Sequence, residues 1–84
     1  MNSKHQKTLA AIFANPVRSS VAWADIEALF IACGGEVSQG RGSRIRVELN
    51  NILATFHRPH PQPTTDKGAI KSVRKFLENA GVKP

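Results

Sequence analysis

One cysteine, no tyrosine and only six acidic residues among 84 are the scarcities that bound this chain. The lone Cys33 rules out an intrachain disulfide framework and points to a reducing compartment, the cytoplasm. One cysteine and three histidines leave no metal-ligand spacing, so neither a metal nor a small-molecule cofactor is expected. The few carboxylates form no pair placed for acid–base work. No apolar run approaches the roughly 18 residues of a membrane span, and Met1–Lys7 lacks the apolar centre of a signal peptide. Length allows one domain with a single small core, taken as 1–84.

The shortage of acid has a positive counterpart. Twelve Lys and Arg against six Asp and Glu give a net charge of +6 and a pI near 10.3. A polyanion is therefore the expected large partner. RNA, DNA and an anionic membrane all answer that description. With no basic amphipathic helix carrying an exposed aromatic face, the membrane is the poorest fit.

The most informative stretch is Gly40–Pro61. Ile45, Val47 and Leu49 alternate with Arg44, Arg46 and Glu48, and Ile52, Ala54 and Phe56 keep the same parity beyond Asn50-Asn51, although Leu53 blurs it. Two period-two runs separated by two residues that tolerate positive φ predict a β-hairpin with a type I′ turn. Paired residues then sum to 101. Val47 opposes Ala54 and Ile45 opposes Phe56 on the buried face. Arg46 opposes Thr55 and Arg44 opposes His57 on the other.

Around the hairpin, Ser3 with Gln6 reads as a capping box that starts a short helix over 3–14, with Leu9, Ile12 and Phe13 inward and Asn15-Pro16 as its stop. After a connector at Val17–Ser20, a second helix is predicted over 22–33. Trp23, Ile26, Leu29, Phe30 and Cys33 form its core face, so Trp23 is read as core rather than as a stacking platform and Cys33 as a small hydrophobe. Asp25 and Glu27 are read as solvated. Gly34-Gly35 ends this helix.

Glu36–Gln39 is a short strand with Val37 inward. In Gly40-Arg41-Gly42 the backbone is free either to approach a phosphate or to make a plain tight turn. Arg58-Pro59-His60-Pro61-Gln62-Pro63 is a stiff exit from the sheet. Thr64 or Thr65 then caps a last helix over 65–80, with Ile70, Val73, Phe76 or Leu77, and Ala80 inward and Gly81 as its C′ residue. Lys67, Lys71, Arg74 and Lys75 lie off that stripe. Such a basic row is usually a solvated face, but its first turn follows the His-Pro loop, which gives phosphate binding at this helix N-terminus a geometric reason.

The order is an extra N-terminal helix followed by α-β-β-β-α, with a three-stranded meander over 36–57. This is the α+β arrangement of double-stranded-RNA-binding domains, helices on one face of the sheet and Arg44, Arg46, Thr55 and His57 on the other.

Gly34, Gly42-Ser43, Pro59-His60-Pro61, Lys67-Gly68 and Ala80-Gly81-Val82, in this order and spacing, resemble the HicA toxins of HicA–HicB toxin–antitoxin pairs. The resemblance covers about Trp23 to Val82. It implies a ribonuclease toxin that cleaves mRNA and is neutralised by a HicB-like antitoxin protein. It also implies a catalytic histidine just after Gly-Ser, where this chain has Arg44.

A guanidinium takes no proton at neutral pH, but it stabilises the phosphorane formed when a ribose 2′-OH attacks its own phosphate. His57, across the strand pair, and His60 in Pro-His-Pro are the candidate acid–base residues. Arg41, Arg46, Arg58, Lys67 and Lys71 are candidate RNA contacts. With no exposed aromatic expected on the sheet face, base preference there should be weak. Two other readings stand beside the nuclease: a non-catalytic RNA-binding module, and a domain that acts mainly by binding an acidic protein partner.

Overall fold

The computed structural model describes residues 1–60 and 63–84, so Pro61 of the Pro-His-Pro motif and Gln62 fall outside it. Its elements are α1 (Ser3–Ile12), β1 (Val21–Ala22), α2 (Trp23–Ala32), β2 (Glu36–Gln39), β3 (Arg44–Leu49), β4 (Ile52–His57), β5 (Thr64–Thr65) and α3 (Lys67–Asn79). β2, β3 and β4 form an antiparallel meander in that order. The fold is α+β, with the α-β-β-β-α order preceded by an extra helix.

The hairpin is the one that the alternation predicts. Asn50 and Asn51 take φ of 52° and 68°, both left-handed, as a type I′ turn requires. Leu49 pairs with Ile52, Val47 with Ala54 and Ile45 with Phe56, while Arg46 pairs with Thr55 and Arg44 with His57. Leu53, which disturbs the parity, stands exposed opposite Glu48. Asn50 also donates from Nδ2 to the Ala80 carbonyl at 2.7 Å, tying the turn to the end of α3.

The inward face of the meander meets α2 and α3 in one core. Ile45, Val47, Leu49 and Phe56 bury against Ile26, Leu29, Phe30, Ile70, Val73, Phe76 and Leu77. Phe30 is central: its ring stacks on Phe56 at 5.7 Å and meets Phe76 edge-on at 5.5 Å. Trp23 closes the cluster on Phe56 at 5.9 Å, so it is a core residue as its spacing indicates. Gly34 and Gly81 end the two helices with φ of 92° and 81°, left-handed values that glycine adopts without a Cβ penalty.

Several local expectations need correction. Asn2, not Ser3, caps α1, accepting from the His5 amide at 2.9 Å. Asp66, not Thr64 or Thr65, caps α3, accepting from the Ala69 amide at 2.7 Å. The threonines are taken up by a two-residue antiparallel ribbon, Val21 with Thr65 and Ala22 with Thr64. That ribbon also delays α2 to Trp23, whose amide donates to the Pro63 carbonyl at 3.0 Å. Arg74 is not a solvated cation. It donates to the Ile12 and Ala14 carbonyls at 2.9 and 2.8 Å and lies over the Phe13 ring, fastening the end of α1 to α3.

Candidate active site

The outer face of the sheet carries the basic group predicted from the hairpin. Arg44, Arg46, Thr55 and His57 all point away from the core and are exposed. The Arg58 amide donates to the Ser43 carbonyl at 2.8 Å, which makes Ser43 and Arg58 a hydrogen-bonded pair. By the alternation of antiparallel ladders, Arg44 and His57 are then a non-hydrogen-bonded pair. In such pairs the side chains stand closest, with Cα atoms about 4.5 Å apart. Among the described residues no hydrogen bond or ion pair engages the side chains of Arg44, Arg46, His57 or His60. An imidazole and a guanidinium therefore sit side by side, free to meet a ligand.

The other candidates divide. Arg41 is exposed at the tip of the β2–β3 loop. The loop is a tight turn held by its own bonds, Gly40 N–H to Arg44 C=O at 2.8 Å and Arg44 N–H to Arg41 C=O at 3.0 Å. Those two amides are thus not free for a phosphate. Lys67 and Lys71 are exposed on the first turns of α3. The phosphate expected at that helix N-terminus is displaced, because the carboxylate of Asp66 already occupies the Ala69 amide. A second anion there would meet a negative charge.

Arg58 is committed elsewhere. Its Nε and Nη2 bond the two carboxylate oxygens of Glu27 at 2.8 and 3.1 Å, and Nη1 bonds Gln39 Oε1 at 2.6 Å. Glu27 also accepts from Trp23 Nε1. The reading of Glu27 as a solvated charge is therefore wrong; it joins α2 to the ends of β2 and β4. Such a clamp holds the strand end that carries His57. The hydrogen bonds from Arg58 keep the Glu27 carboxyl below the usual carboxylate range, against the opposing effect of burial. Burial pushes the Cys33 thiol up, in keeping with a packing role.

The Glu27 shift has a pH consequence. A carboxylate with a depressed folded-state pKa stabilises the fold above its unfolded value and loses that contribution as pH falls through the folded one. The clamp's contribution should therefore persist at neutral pH and fade below about 4.5, the ordinary value for Glu27. Thermal unfolding across that range should show a smaller acid-side loss of stability for Glu27→Gln than for the native chain. Equal acid-side slopes for the two proteins would count against the clamp.

Beside the basic face, the end of β4 and the start of α3 enclose a cleft of ≈ 350 Å³, lined by Thr55, His57, Arg58 and Pro59 on one side and Thr65, Asp66, Ala69 and Ser72 on the other, with Trp23 and Phe56. His60 lines an adjoining cleft that shares Pro59 and Asp66 with the first. The two histidines thus line neighbouring clefts. The role of Asp66 and Thr65 was hidden in the sequence, where they read as a helix start. The cleft depends on the ribbon that brings Thr65 back to Val21.

The family model for the HicA toxin of bacterial toxin–antitoxin systems matches residues 23–82, well over half of the chain. The chain belongs to the HicA toxin family. Neither a curated protein nor a solved structure matches it. As a HicA toxin it is one half of a toxin–antitoxin pair, and a cognate antitoxin is its implied partner. The matched stretch begins at Trp23 and so leaves α1 and β1 outside the HicA unit. No helix among the described residues is long and apolar enough to cross a membrane.

Proposed function

We propose that this HicA toxin is an endoribonuclease that cleaves mRNA in the cytoplasm and is neutralised by a HicB-like antitoxin. The observation that carries the proposal is the placement of exposed His57 directly across from Arg44. In this reading the 2′-oxygen attacks the adjacent phosphorus while His57 takes its proton. The P–O5′ bond breaks, His60 returns a proton to the leaving 5′-oxygen, and Arg44 stabilises the phosphorane with its charge. The products are a 2′,3′-cyclic phosphate and a 5′-hydroxyl. Arg46, Lys67 and Lys71 supply further phosphate contacts, and Arg41 extends the basic surface along the loop.

The reading makes a combined expectation for RNA. Purified toxin should leave 2′,3′-cyclic phosphate ends, and a single 2′-deoxy substitution should block cleavage at that nucleotide. Affinity for single-stranded RNA should fall with salt at a log–log slope of roughly −0.7 per phosphate contact, near −3 for Arg44, Arg46, Lys67 and Lys71 together. Cleavage that leaves other ends, or binding indifferent to salt, would overturn it.

One observation favours a second reading. Arg44 stands where the HicA resemblance places a histidine, which suits a non-catalytic module that binds RNA through the same basic face. Binding with the expected slope but no cleavage of any RNA would select it. The charge of +6 also suits an acidic antitoxin surface.

A further inference from the structure

The meander of β2, β3 and β4 has β4 at one edge, and that edge is unguarded. Natural edge strands are blunted by brevity, charge or proline, because their open backbone recruits other strands. β2, the opposite edge, is blunted in this way: it is four residues long, carries Glu36 and runs into the tight Gly40–Gly42 loop. β4 is six residues long and reads Ile-Leu-Ala-Thr-Phe-His, with no Lys, Arg, Asp, Glu, Gly or Pro. Ladder alternation makes Arg44–His57, Arg46–Thr55 and Glu48–Leu53 non-hydrogen-bonded pairs. The N–H and C=O groups of Leu53, Thr55 and His57 therefore point outward, and among the described residues no hydrogen bond takes them up. Their side chains are exposed, Leu53 at 60%. Thr55 and His57 line the cleft that separates this strand end from the start of α3.

Resting on the antitoxin partnership above, we propose that β4 is the docking edge for an extended, acidic segment of the antitoxin, added to the sheet as a further strand. Strand addition draws affinity from main-chain hydrogen bonds and specificity from alternate side chains. Charge chooses the occupant. Behind the edge, Arg46 lies beside Thr55 and Arg44 beside His57 on one face. A second copy seated antiparallel on β4 would set those cations against their duplicates, in chains that each carry +6. A carboxylate opposite Thr55 meets the reverse situation. Neighbouring strands lie about 4.8 Å apart, so it reaches Arg46 across the small threonine. Two positions along the same face, an apolar residue would cover Leu53. The added strand stands next to His57, so the contact that holds the antitoxin also crowds RNA away from the proposed base.

The test uses the full chain and its purified cognate antitoxin. On binding, the amides of Leu53, Thr55 and His57 should become protected from hydrogen exchange, read residue by residue by NMR. Val37 and Gln39, whose amides point outward on the β2 edge, should not change. A second probe acts on the main chain alone. The single Cys33 is a ligation junction, so the chain can be joined from residues 1–32 and 33–84 with an N-methyl group on Thr55. The methyl removes an N–H that has no partner in the free chain, so the unfolding temperature should stay close to that of the unmethylated chain. Antitoxin affinity should fall roughly tenfold or more, since a hydrogen bond is lost and its acceptor is left unpaired. Arg46→Ala should flatten the salt dependence of antitoxin binding; an unchanged dependence removes the acidic occupant. Antitoxin that binds while the β4 amides still exchange freely, or that binds the N-methyl chain equally well, overturns the docking edge alone. Protection of those amides in the toxin by itself, with a doubled mass, makes a second copy the occupant and also overturns the proposal. If the antitoxin fails to bind the unmodified chain, the partnership falls and the edge with it.

Discussion

His57→Ala should lower RNA cleavage by about 10²–10⁴-fold, the usual contribution of one general acid–base group, while RNA affinity and antitoxin binding stay close to wild type. Some group must take the 2′-OH proton, and the choice lies between His57 and His60. His57 ends a strand whose neighbours on both sides are fixed: Phe56 is in the core, and Arg58 is clamped to Glu27 and Gln39. A side chain on such an element holds its geometry better than one on a loop. His60 lies beyond that clamp, exposed on the adjoining cleft. The alanine variant removes no core contact, because His57 is exposed on the outer face. Single-turnover cleavage at saturating protein separates the chemical step from affinity. A wild-type rate in His57→Ala would move the base to His60, and His60→Ala would then carry the loss.

What could be read in advance follows the range of the contacts concerned. The hairpin is local. Its parity, its Asn-Asn turn and the Arg44–His57 pairing depend on residues within 14 positions of one another, and all three are present in the structure. The core stripes of α2 and α3 are likewise a matter of helical spacing. Apart from the helix caps at Asn2 and Asp66, the misses are contacts between segments remote in the chain. Thr65 pairs with Val21, Arg58 reaches Glu27 and Arg74 reaches the end of α1, and none of these leaves a periodic trace. They also changed the site. Arg58, an apparent RNA contact, is occupied by Glu27 and Gln39, and Asp66 closes the helix terminus that was expected to hold a phosphate. Only the Glu27–Arg58 charge complementarity was visible beforehand, without anything to bring the two together.

Arg44→Ala should cost about 10²–10³-fold in the cleavage step, the size of losing one donor that stabilises developing charge. It should also remove one phosphate contact, making the salt slope of binding shallower by roughly 0.7. The two effects separate the roles. A guanidinium that only holds the strand changes affinity and slope, whereas one that also meets the phosphorane changes the rate at saturation. Arg44→His asks whether the family residue works in this register. Because Arg44 and His57 form a close cross-strand pair, an imidazole at 44 reaches much the same space from the neighbouring strand. Arg44→His should therefore retain more activity than Arg44→Ala, and adding it to His57→Ala should recover part of the lost rate. If Arg44→Ala loses affinity alone and Arg44→His rescues nothing, the arginine is a phosphate contact and the pairing has no part in the chemistry. If wild type and every variant bind RNA yet none cleaves it, the basic face is a binding surface and the toxin acts without cutting.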